Sequence, residues 1–222
     1  MMVLETDLVE FVVPYSLLSM CKVNARQCMI GGRSNYRKPG DDRTRNLYLD
    51  QLVGQIAHAA ASVVLFGSTK AYRTSRYFAN LFPMVGDGPS DIPLGNIDIK
   101  GTRLADGLDR LNHHLVVWPR DHRPNFVYML VIVDIREGMP VKCWLAGWAG
   151  TEHLKAYMRG TGHQFSGAYA MQVRDLYPVP PFRWDLGLQP SGSNQNFGDG
   201  RVVPVAASAP DSLFPQPATN GS

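Results

Sequence analysis

Gly86-Asp87-Gly88-Pro89-Ser90-Asp91-Ile92-Pro93-Leu94-Gly95-Asn96-Ile97-Asp98-Ile99-Lys100-Gly101-Thr102-Arg103 is the stretch on which the architecture turns. Ile92-Pro93-Leu94 is a short extended run, and Gly95-Asn96 is a two-residue turn signal. Residues 97–102 then alternate apolar and polar. A strand with that alternation places Ile97 and Ile99 on one face and Asp98 and Lys100 on the other. A tight turn before it carries Asp91 back beside Asp98. Two carboxylates and one ammonium are therefore expected to converge, Asp98 and Lys100 on the strand and Asp91 from before the turn.

Upstream the periodicity is helical. Pro14 opens a helix through Leu17, Leu18, Cys21 and Val23, which Gly31-Gly32 stops. A second helix, capped by Asn46, carries Leu49, Leu52, Val53, Ile56, Ala60, Val63 and Val64 at helical spacing and ends at Gly67. Its alanines, Ala57 and Ala59 to Ala61, favour helix and allow close packing. Downstream the pattern is strands. Residues 114–118 form one, and 126–135 are apolar enough for a central strand buried on both faces. Residues 141–149 form another, with Trp144 and Trp148 on one face. Thr151 caps a short helix over 152–159, and 169–173 make a last strand. Helices first, then strands with a later helix, give an α/β fold: a central mixed sheet flanked by helices. The domain is expected to span residues 1–186. Residues 187–222, with Pro190, Pro204, Pro210, Pro215 and Pro217 among Gly, Ser and Asn, form a flexible, mostly disordered tail.

The bulk properties exclude several classes. The longest apolar runs, 59–66 and 126–133, are too short to span a bilayer, so no membrane partner is expected. Met1-Met2-Val3-Leu4-Glu5-Thr6-Asp7 has acids where a secretory leader has basic residues, which points to the cytoplasm. The three cysteines, Cys21, Cys28 and Cys143, form no C-x-x-C pair, which argues against structural zinc and against a disulfide framework. Gly67-Ser68-Thr69-Lys70 lacks the order of a phosphate loop, and no G-x-S-x-G element is present. His113, His114, His122, His153 and His163 have no spaced histidine partner and read as core or loop residues. The net charge is +3. Its distribution says more: Arg26, Arg33, Arg37, Lys38, Arg43 and Arg45 crowd a stretch that holds only Asp41 and Asp42 against them. A loop with that charge suits a nucleic-acid backbone.

Paired carboxylates make a hard-oxygen site for a divalent cation, Mg²⁺ first and Mn²⁺ second. With Asp91 and Asp98 as metal ligands, the site suits phosphodiester cleavage, and Lys100 sits where its charge supports the attacking water and the phosphate.

At this point the chain resembles the PD-(D/E)XK nuclease superfamily, the restriction-endonuclease-like group. Asp91 matches the first acid of the motif, Asp98 the second and Lys100 the lysine. Pro89-Ser90-Asp91 stands where many members have Pro-Asp directly. In the preceding helix, Gln55 of Leu52-Val53-Gly54-Gln55-Ile56-Ala57 falls where many relatives have Gly-Glu. Glutamine is a weaker, uncharged ligand, which leaves one metal or two open. Arg120-Asp121-His122-Arg123-Pro124 before the apolar strand and Gly147-Trp148 before the capped helix extend the likeness to phage-type members, over residues 14 to 178. The resemblance implies a restriction-endonuclease-like fold and Mg²⁺-dependent hydrolysis of DNA in the cytoplasm, the host's if the gene is a phage's. It implies Asp91, Asp98, Lys100 and Gln55 as the catalytic set, and many relatives act as homodimers. Arg103 would hold a DNA phosphate or the leaving oxygen, and Arg33, Arg37, Lys38 and Arg43 would clamp the backbone. Two rivals are a non-catalytic nucleic-acid-binding module on the same fold and a viral structural or assembly protein.

Overall fold

The computed structural model describes residues 3–30, 47–74, 91, 96–161 and 168–179, all within the unit Met1–Leu186. The expected basic loop with Arg33, Arg37, Lys38 and Arg43, the expected extended run Ile92-Pro93-Leu94 with Gly95 of the turn, and the expected tail from 187 lie outside the described residues.

The fold is α/β, with a mixed four-stranded sheet flanked by helices. Its strands are β1 (Val9–Val12), β2 (Ile97–Arg103), β4 (Val127–Asp134) and β5 (Lys142–Gly150), in the order β1-β5-β4-β2. β2 runs parallel to β4, and β4 and β1 run antiparallel to β5. β4 is buried over seven of its eight residues, as its apolar run predicts. A second, two-stranded sheet pairs β3 (His114–Val117) with β6 (Tyr169–Gln172). Both of its strands are expected from their apolar patterning, but no local signal separates them into a second sheet, and none marks β1, which is only four residues long and precedes the helices.

α1 (Tyr15–Ile30) begins after Pro14, whose carbonyl accepts the Leu18 amide at 2.9 Å. Leu17, Cys21, Ala25 and Cys28 form its buried stripe, whereas Val23, expected among them, is 52 % exposed. α2 (Leu47–Phe66) is buried nearly all round from Leu52 to Ser62. Among the described residues it is the one helix long and apolar enough to cross a membrane, and 61 % of that apolar window is buried inside the fold. A core helix has this character. Gly67 ends it at φ 70°, the left-handed conformation that glycine adopts freely. A third helix, α3, follows, of which residues 70–74 are described.

α2 crosses the face of β2 that carries Ile97 and Ile99. A Cβ on Gly101 would stand 2.9 Å from Ala57 Cβ and 3.0 Å from the Val53 carbonyl, so the helix reaches the strand backbone there. The opposite face of the sheet carries Tyr128, Leu130, Ile132 and Trp144, packed with Leu115 and Val117 of β3, Met171 of β6 and Leu154 of α4 (Thr151–Thr161).

Two local expectations change. β5 carries a bulge opposite Leu130 and Val131: Gly147 pairs with Leu130, Leu145 with Val131, and Ala146 is the extra residue. The extra residue reverses the alternation. Trp144 therefore lies opposite Ile132 and Trp148 opposite Met129, on different faces rather than one. Gly147 takes φ 143°, and the Tyr177 carbonyl lies 2.7 Å from where its Cβ would be, a space that only glycine leaves open. Thr151 does not cap its helix from outside. It is the first helical residue, and its hydroxyl donates to the Arg123 carbonyl while accepting the Phe126 amide.

Candidate active site

Among the described residues β2 is an edge strand, so half of its amides face away from β4. Asp91 takes one of them: its Oδ2 accepts the Ile99 N–H at 2.7 Å. This bond returns Asp91 to the strand that carries Asp98 and Lys100. Asn96, at the near end of the turn, has φ 51°, a conformation asparagine tolerates. From the α2 side, His58 Nδ1 lies 3.6 Å from Asp91 Oδ1.

Asp98 and Lys100 pair in register with Tyr128 and Leu130 of β4, and so share the face turned away from α2. Lys100 Nζ is 3.0 Å from Asp98 Oδ2 and 3.7 Å from Asp121 Oδ2. Burial pushes the Asp98 carboxyl up to about 7, and Asp91 adds to the rise, while Lys100 opposes it. Burial alone would lower the Lys100 pKa. The carboxylates of Asp98, Asp121 and Asp91 outweigh burial, and the net shift is upward. Lys100 is thus held as an ammonium at neutral pH.

Asp121 comes from the 3-10 turn Pro119–Asp121 between β3 and β4. Asp121 enters the sequence analysis only within the run 120–124, with no role in the site, and His58 does not enter it. Each has a signal: an acid inside the polar run that precedes the central strand, and a histidine among the apolar residues Ile56, Ala57 and Ala59 to Ala61 of a helix. Neither signal is local to the Asp98 strand, and only the tertiary fold joins them to it.

The other expected residues fall elsewhere. Gln55 is buried in the helical layer. Its Oε1 accepts the Tyr72 hydroxyl at 2.9 Å, and its amide lies 3.8 Å from Cys28 Sγ. One turn further along α2, His58 is the residue that meets Asp91. Arg103 is exposed and pairs with Val133, on the strand face opposite Asp98 and Lys100. His122 lies beside Tyr128 and Tyr169, with ring centroids 6.5 and 4.7 Å away, as a packed aromatic.

Among the described residues no three His, Cys, Asp or Glu side chains enclose a point suited to a metal. Asp91 and Asp98 offer a pair of hard oxygen donors whose repulsion a cation would relieve. Mg²⁺ is commonly held by one or two carboxylates, with water and substrate oxygens completing its shell. These residues fit such an ion. No family model, curated protein or solved structure matches the chain. What the site can do follows from its own residues.

Proposed function

We propose that the protein is a metal-dependent nuclease of the PD-(D/E)XK type that hydrolyses DNA phosphodiester bonds. The observation that carries this reading is the meeting of Asp91, Asp98 and Lys100 at one edge strand, through the Asp91–Ile99 bond and the 3.0 Å Lys100–Asp98 contact. Asp91 and Asp98 would hold the cation. When bound, Mg²⁺ or Mn²⁺ supplies positive charge to the scissile phosphate and acidifies water for attack.

The chain's own groups do the rest. Lys100 acts as a fixed positive charge beside the phosphate and the incoming nucleophile, because its raised pKa keeps it protonated. A general-base role would need the opposite shift. His58 orients Asp91 from the α2 side. With Gln55 engaged by Tyr72, α2 adds no carboxylate to the site, which favours one cation over two. The basic loop with Arg33, Arg37, Lys38 and Arg43, and the exposed Arg103, suit the DNA backbone, and binding through them weakens steeply with salt. Cys21, Cys28 and Cys143 are buried thiols, which suits a reducing compartment, and the cytoplasm is the location proposed for the activity.

The test is a cleavage assay on linear, circular and single-stranded DNA with Mg²⁺, Mn²⁺ or EDTA. Asp98→Ala and Lys100→Ala are each expected to lower the metal-dependent rate by about a thousandfold or more, with the fold retained. Full activity in EDTA, or in Asp98→Ala, would sink the proposal. DNA binding without turnover in every metal would point instead to the non-catalytic module.

A further inference from the structure

The turn that carries Asp121 is fixed by more than its own backbone. Tyr128, fully buried on β4, donates its hydroxyl to the Asp121 carbonyl at 2.9 Å and accepts the Arg123 amide at 2.8 Å. Thr151 of α4 donates to the Arg123 carbonyl. Hydroxyls from two separate elements hold one short segment, and buried hydroxyls rarely serve without a partner to satisfy. The segment they hold puts the Asp121 carboxylate 3.7 Å from Lys100 Nζ.

Lys100 already has a nearer carboxylate, Asp98 at 3.0 Å. An ammonium and a divalent cation compete for the oxygens of Asp98. A lysine with Asp98 as its sole counter-charge would either resist the cation or be left unpaired in a mostly enclosed place, where an uncompensated charge is costly. The second carboxylate resolves that competition. We infer that Asp121 is a positioning residue for Lys100: it takes over the ammonium when Asp98 turns to a divalent cation, and so keeps Nζ beside the phosphate. This inference rests on the nuclease reading above.

The test is a double-mutant cycle read by calorimetric titration of Mn²⁺ into metal-free protein without DNA. Asp121→Asn alone is expected to weaken Mn²⁺ binding about fivefold to tenfold. Lys100→Met tightens binding, because it removes the competing ammonium. Adding Asp121→Asn to Lys100→Met changes the affinity by less than about twofold, since no ammonium then remains to be handed over from Asp98. Asp121→Glu restores binding to within about threefold of the original protein. Asp121→Ser runs the same cycle if the asparagine variant does not fold.

An equal loss in both backgrounds would show that Asp121 acts as a ligand or through its field alone, and would overturn the inference. No loss in either background would overturn it too. Original protein that takes up no Mn²⁺ would remove the nuclease reading and this inference together. Mn²⁺ binding with Lys100 and Asp121 unlinked would remove only this one.

Discussion

On β1, at one edge of the sheet, Glu10 is exposed. It accepts from Lys142 Nζ at 3.0 Å and from Trp144 Nε1 at 3.1 Å, and its pKa is lowered, first by the Lys142 hydrogen bond. On β2, at the other edge, Asp98 has a lysine at the same 3.0 Å, yet burial and Asp91 drive its carboxyl up to about 7. Both edges carry one carboxylate–lysine pair. They differ in solvent and in the second acid. At β1 the pair is a solvated clasp that blunts an open edge. At β2 the pair sits in a field that disfavours ionisation, which is the condition of groups that act on ligands.

The comparison can be broken most forcefully by prying α2 from β2. Gly101→Val would force side-chain atoms into the 2.9 Å gap to Ala57, and about 3 kcal/mol of stability should be lost. Urea unfolding midpoints measure this, and a loss near zero would mean that α2 does not clamp the strand.

A smaller effect sharpens the contrast in pH. The Asp98 pKa rises from 3.8 to about 7 on folding, so the folded protein binds a proton that the unfolded chain releases. The stability linked to this group is full below about 4 and is lost as pH rises to about 7. Asp98→Asn should flatten that slope and leave the metal-free protein more stable at pH 8, on the order of 2 kcal/mol. An unchanged slope would contradict the burial argument.

The smallest effect belongs to β1. Glu10→Gln should leave unfolding midpoints unchanged at neutral pH, because exposed pairs contribute little. Any residue of its effect runs the other way, with stability lost as pH falls through its lowered pKa. A slope of the same sign as that of Asp98 would erase the distinction between the edges.

What was legible in the sequence was what local patterning encodes. The helical spacing of Leu52, Val53 and Ile56, the stop at Gly67 and the continuous apolar run of β4 were readable because each element carries its own signal. Asp98 and Lys100 were readable because two residues on one strand must share a face. What escaped depends on approach across the chain. Asp121 meets Lys100 from a turn that hydroxyls of Tyr128 and Thr151 help to hold, and His58 meets Asp91 because α2 lies on β2. The bulge at Ala146 has a visible clue, Gly147 inside a strand. A strict period of two overrode that clue, and Trp144 and Trp148 were assigned to one face.

The partnership between β1 and β5 also has a consequence in time. Glu10 and Lys142 stand 132 positions apart in the chain. A ribosome adding 5–20 residues per second leaves Val9–Val12 without its sheet neighbour for roughly ten seconds. During that interval the segment is a short apolar strand with both edges open, the kind of piece that sticks to other nascent chains. Glu10 in the middle of Val-Glu-Phe-Val puts a charge where such association would have to bury it. The residue that later clasps β5 is thus also a gatekeeper during synthesis.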